Sequence, residues 1–85
     1  MNDKKFGWIR EDIDTSAIEE RLPVRLRKMI DKLRLADIRG DKEAWESANC
    51  NLAVYLKIYY TDSRELSYDE WKTLHDKYRL LIYLD

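Results

Sequence analysis

One proline and two glycines punctuate 85 residues, and Pro23 and Gly40 stand at the two ends of a row, Leu22, Leu26, Met29, Ile30, Leu33 and Ala36, that recurs at helical spacing. A chain so poor in turn formers cannot be cut into many short strands. The 3.6-residue period leaves long helices as the solution open to it. Pro23 suits a first helical turn, where a missing N–H costs nothing, and Gly40 suits the left-handed position after a last turn. Together they predict a helix over about 23–39.

Asp41 follows at once and offers a side-chain oxygen as the cap of a second helix, over about 42–60. So short a link turns that helix back on the first as an antiparallel hairpin. Its inner face is Trp45, Ala48, Leu52, Tyr55, Leu56 and Tyr59. From Ser47 to Leu56 it carries no charge at all, which predicts cover on more than one side. Thr61-Asp62-Ser63-Arg64 reads as a break. Ser67-Tyr68-Asp69-Glu70 is a capping box that opens a third helix, over about 68–84, with Trp71, Leu74, Tyr78, Leu81 and Ile82 inward. Upstream, Ser16-Ala17-Ile18-Glu19 has the same capping pattern and predicts a short turn of helix before Pro23.

The expected fold is therefore all-α: one domain, 1–85, forming a small antiparallel three-helix bundle. An N-terminal arm over 1–20, or a short extra helical turn within it, wraps the outside through Phe6, Trp8, Ile9 and Ile13. With 45% apolar residues the chain has enough core formers to fold despite 39% charged ones. Cys50 is alone, so neither an internal disulfide nor a cysteine zinc cage is expected. No apolar run approaches the ~20 residues of a membrane span, and the charged start lacks a signal-peptide core, so no membrane association and a cytoplasmic location are expected.

Chemistry-bearing patterns are scarce. There is no Gly-rich phosphate loop, nucleophile elbow, catalytic carboxylate pair or zinc spacing. His75, the one histidine, falls beside the core face and reads as a packed ring. Cys50 has no neighbouring cation to activate it and reads as an inert thiol. No catalytic residue, metal or cofactor is expected. Asn49 and Asn51, in an uncharged helical stretch, would need partners if buried and could set the register of an interface.

Charge is more informative. Arg21 to Gly40 holds seven basic residues against two acids, in a chain of net charge −1. On a helical wheel Arg21, Arg25, Lys28, Lys32 and Arg39 lie within about 60° on one flank of the apolar face, and Arg27 and Arg34 lie on the other. Such a stripe could contact phosphates or an acidic protein surface. Alternatively Glu11 to Glu20, with five acids and no base, could lie on the stripe and neutralise it. A helix-turn-helix at Arg39-Gly40-Asp41 is a poor fit, because the recognition helix would begin with Lys42, Glu43, Glu46 and Ser47. Tyr59, Tyr60, Tyr68 and Trp71 should gather at the same end as Arg21 and Arg25, where a guanidinium could stack on a ring.

Apolar residues off the core faces form a second clue. Leu35, Ile38, Val54 and Ile58 lie behind the first two helices, and Leu80, Tyr83 and Leu84 form a terminal run that could serve as a two-fold interface. The function expected is a non-catalytic protein-binding module, an adaptor, accessory or regulatory protein, working through the basic stripe or the terminal run. Nucleic-acid binding by the stripe and a structural homodimer are the alternatives.

Overall fold

The computed structural model describes residues 7–81, and its regular structure is helical throughout: α1 (Ser16–Glu20), α2 (Val24–Arg39), α3 (Lys42–Ser63) and α4 (Tyr68–Lys77). Helices α2, α3 and α4 form the expected bundle, with α1 as the short extra turn. Pro23 is the N-cap of α2 with extended backbone, and Gly40 closes the helix at φ 69°. A side chain there would incur the left-handed penalty, which explains the glycine. Asp41 accepts from the Ala44 N–H at 3.1 Å and starts α3. α3 then runs back along α2, so that Ala36 and Ala48 line one depression and Leu26 and Tyr59 another further along. This full-length antiparallel pairing is a hairpin, not a helix-turn-helix.

α4 covers one side of that hairpin. Tyr60 stacks on Trp71 at 5.1 Å at one end, while the Asn49 amide reaches the Tyr78 carbonyl at 3.2 Å at the other, so α4 is antiparallel to α3. Leu33, Leu52 and Leu74 are completely buried between the three helices. Each such side chain contributes about 1.5–3 kcal/mol by leaving water. The arm lies across the end opposite the α3–α4 connection. Ile9 is buried, Trp8 packs on Trp45 at 4.9 Å, and the Arg10 N–H donates to the Lys77 carbonyl at 2.7 Å. Ile13 is half-buried; Phe6 lies outside the described residues.

Three boundaries differ from expectation, each for a local reason. The Ser16 capping box does not form: Thr15 is the N-cap, the Ser16 hydroxyl donates to Asp14 at 2.7 Å, and Glu19 accepts from Thr15 and Tyr78 instead. Thr61 to Ser63 continue α3 rather than break it; the hydroxyls of Thr61 and Ser63 donate to the Lys57 and Tyr59 carbonyls one turn back and so do not compete for the helix N–H groups as a turn-forming side chain would. The helix stops only when Arg64 turns left-handed at φ 59°.

The last helix ends at Lys77, well short of 84. Arg79 is left-handed at φ 47°, and the Leu80 N–H returns to the His75 carbonyl at 3.1 Å. Asn49, fully buried, then holds the exit. Its amide donates to the Tyr78 and Arg79 carbonyls, both at 3.2 Å, and its oxygen accepts from the Leu81 N–H at 2.6 Å. This buried amide sets the register of the chain's own C-terminal segment, not of an interface between molecules. Leu80 is consequently turned into the core and Leu81 outward.

Candidate functional site

Of the expected stripe, Arg21 is drawn away. It pairs with Glu70 and donates to the Glu65 carbonyl at 3.4 Å. The same Glu70 accepts from the Ser67 N–H in the capping box. That bond, helped by the Arg21 charge, holds the carboxyl below its ordinary range.

Arg25, Lys28, Lys32 and Arg39 are all exposed, and among the described residues none has an ion-pair partner. The acidic arm does not cover them, because its partnered acids are engaged elsewhere. Asp12 holds Arg10 at 2.7 Å, Glu11 lies 4.0 Å from the Lys77 ammonium, and Asp14 accepts from the Ser16 N–H at 3.0 Å. Glu19 lies 3.7 Å from Arg34, on the opposite flank of α2 from Arg25.

That last contact belongs to a polar knot tying α1 to α2 and α4. The Tyr78 hydroxyl donates to Glu19 and accepts from Arg34 at 2.7 Å. Burial, the hydrogen bond to Glu19 and the Glu19 charge together push the Tyr78 phenol well above its ordinary range. The knot ties Glu19 to the Arg34 flank of α2 and leaves Arg25, Lys32 and Arg39 without a carboxylate partner among the described residues.

The bare flank borders the side of the α2–α3 hairpin that α4 does not cover. From Arg25 to Arg39 the cations form one wall, about 21 Å long at the helical rise. The other wall is α3, presenting Ala44, Ser47, Asn51, Tyr55 and Ile58. Two depressions lie between the walls. One, of about 320 Å³, is lined by Lys32, Leu35, Ala36, Arg39, Ser47, Ala48 and neighbours near the hairpin turn. The other, of about 520 Å³, is lined by Arg25, Leu26, Tyr55, Ile58, Tyr59 and neighbours. The Arg25 guanidinium lies 5.5 Å from the centre of the Tyr55 ring. In the linings of the two depressions the carboxylates are Asp41 and Asp62, at the far ends; Glu19 and Asp31 share a separate depression with Lys28 and Arg27.

Exposed apolar surface lies along the same face. Leu35 keeps 45% of its surface in water, Tyr55 40% and Ile58 47%. Tyr55 was expected inside and is instead exposed; α3 is covered on more than one side, by α2 and by α4, as its uncharged run led one to expect, and its Ser47–Asn51–Tyr55 side stays open. The uncharged run was the sequence signal for this surface. Its being open required knowing on which side α4 sits.

The remaining expected sites are dispersed. Leu80 is buried and so has no free surface to offer a second molecule, while Tyr83 and Leu84 lie outside the described residues. The aromatic corner forms differently: Tyr60, Tyr68 and Trp71 cluster, but the cation over Trp71 is Lys57, at 4.8 Å, not an arginine. His75 is buried against Trp71 at 5.5 Å, and Cys50 is half-buried. Among the described residues no three His, Cys, Asp or Glu side chains are grouped to hold a metal ion, and no helix is long and apolar enough to cross a membrane. Comparison with protein-family models, with curated proteins and with solved structures finds no match.

Proposed function

We propose that the protein is a non-catalytic binding module that captures a protein partner on the open face of the α2–α3 hairpin. The observation that supports this most is the coincidence, on one face, of four cations without carboxylate partners and exposed Leu35, Tyr55 and Ile58. Protein interfaces combine an apolar centre with a charged rim in this way. A phosphate-binding surface gains little from aliphatic side chains, since its affinity comes from neutralised charge and polar contacts. The net charge of −1 also works against general attraction to nucleic acid.

A titration into labelled single- and double-stranded DNA at low and physiological salt, followed by anisotropy, tests the choice. Weak binding that vanishes at physiological salt is expected. Tight binding that falls steeply with salt and is lost in Arg25→Glu/Lys32→Glu would instead make the cationic wall a phosphate-binding surface.

A further inference from the structure

We infer that the occupant of this face is an acidic amphipathic helix of a partner protein, laid in the α2–α3 groove as a fourth helix of the bundle. The inference rests on the protein-binding role just proposed and specifies its partner.

Three observations bear on the occupant's chemistry. The first is backbone satisfaction. Both walls are helices whose N–H and C=O groups are bonded internally, so this face has no strand edge to offer an extended peptide. An extended segment would lie with its own polar backbone against Leu35, Tyr55 and Ile58. A helix brings its backbone already paired and presents only side chains. α4 does the same on the opposite side of the hairpin, placing Trp71 and Leu74 in the core.

The second is spacing. The two depressions are floored by Leu26 and Ala36 on α2, ten residues apart and so about 15 Å along the axis. Positions i and i+11 of a straight helix share a face and lie about 16 Å apart. One apolar side chain of the partner can therefore enter each depression, the one beside Leu26 next to the Arg25–Tyr55 pair, with i+4 and i+7 crossing the stretch of α2 between them, where Met29 and Lys32 lie.

The third is charge. Arg25, Lys28, Lys32 and Arg39 line one wall, and the facing stretch of α3 from Ser47 to Leu56 has no charge. A complementary helix carries Asp and Glu on the flank toward α2 and uncharged residues toward α3, which fixes its rotation about its own axis. A second copy is a poor occupant by the same measure. Its equivalent face supplies only Asp41 and Asp62, at the two ends, to set against four cations.

The experiment is selection from a surface-displayed library of peptides of about 16 residues, using the full chain as bait. Selected peptides should carry large apolar residues at i and i+11, Asp and Glu along one flank, and gain helical circular dichroism on binding. Their affinity should fall about tenfold or more in Arg25→Glu/Lys32→Glu and in Tyr55→Asp, both made at exposed positions so that the fold survives. Binders that are sensitive to Tyr55→Asp but show no acid enrichment, or stay extended, would overturn the acidic helix and leave the face standing as a protein site. Binders indifferent to both variants, or no binders at all, would remove the face itself. Displacement of the selected peptides by duplex DNA at physiological salt would transfer the cationic wall to a phosphate ligand.

Discussion

Replacing Asn49 by alanine tests how the bundle is closed. The side chain is fully buried and makes three hydrogen bonds to backbone groups beyond α4, two donated to the Tyr78 and Arg79 carbonyls and one accepted from the Leu81 N–H. Each bond contributes about 0.5–1.5 kcal/mol net, and a backbone group left buried without a partner costs about 1–3 kcal/mol. Part of that cost is relieved if residues 79–81 peel away, but Leu80 then leaves the core. A loss of about 3 kcal/mol is therefore expected, with a fall in melting temperature of about 4–8 °C per kcal/mol for a domain of this size. Urea unfolding gives the energy, and hydrogen exchange at the Leu81 amide shows whether the segment is released. A loss below about 0.5 kcal/mol, the range of ordinary surface substitutions, with Leu81 still protected, would refute the role given to this amide.

Other outcomes follow from the same structure. Because the Tyr78 phenol is raised in the fold and ordinary near pH 10 when unfolded, the unfolded chain binds fewer protons above pH 10. Stability should then fall as pH rises past that point, by up to about 1.4 kcal/mol per pH unit, and Tyr78→Phe should flatten this part of the urea-measured pH profile. Arg64 closes α3 at φ 59° without being glycine, so Arg64→Gly should raise stability by up to about 1 kcal/mol, whereas Gly40→Ala, at φ 69°, should lower it by about as much; thermal melts decide both. Arg25→Glu/Lys32→Glu breaks no ion pair among the described residues and removes only the exposed Arg25–Tyr55 contact, so it should lower stability by no more than about 1 kcal/mol and leave the mass measured by sedimentation unchanged.

The helices were legible because their signals are local. Pro23, Gly40, Asp41 and the Ser67–Glu70 box act within a turn of themselves, and the apolar period needs no partner to be read. Features that depended on distant residues were not legible. Arg21 is claimed by Glu70, 49 positions away, and Glu19 by Tyr78, 59 away; nothing near either residue announces this. The end of α4 was misplaced because Leu80 to Leu84 continue the helical composition, while the force that ends the helix comes from Asn49 on α3. For the candidate face, the cationic wall was visible as a stripe. Its neighbour was visible only as an uncharged run, and joining the two into one surface required the side chosen by α4.

The most direct measurement of whether that surface is the binding site is an amide chemical-shift map of the protein titrated with a helical peptide patterned in Leu and Glu, and separately with the same peptide carrying Lys for Glu. The expected result is a set of shifts at Arg25, Lys32, Leu35, Asn51 and Tyr55 with the Glu peptide alone, leaving the outward side of α4 unmoved. Equal responses to both peptides, or shifts confined to α1 and α4, would contradict it.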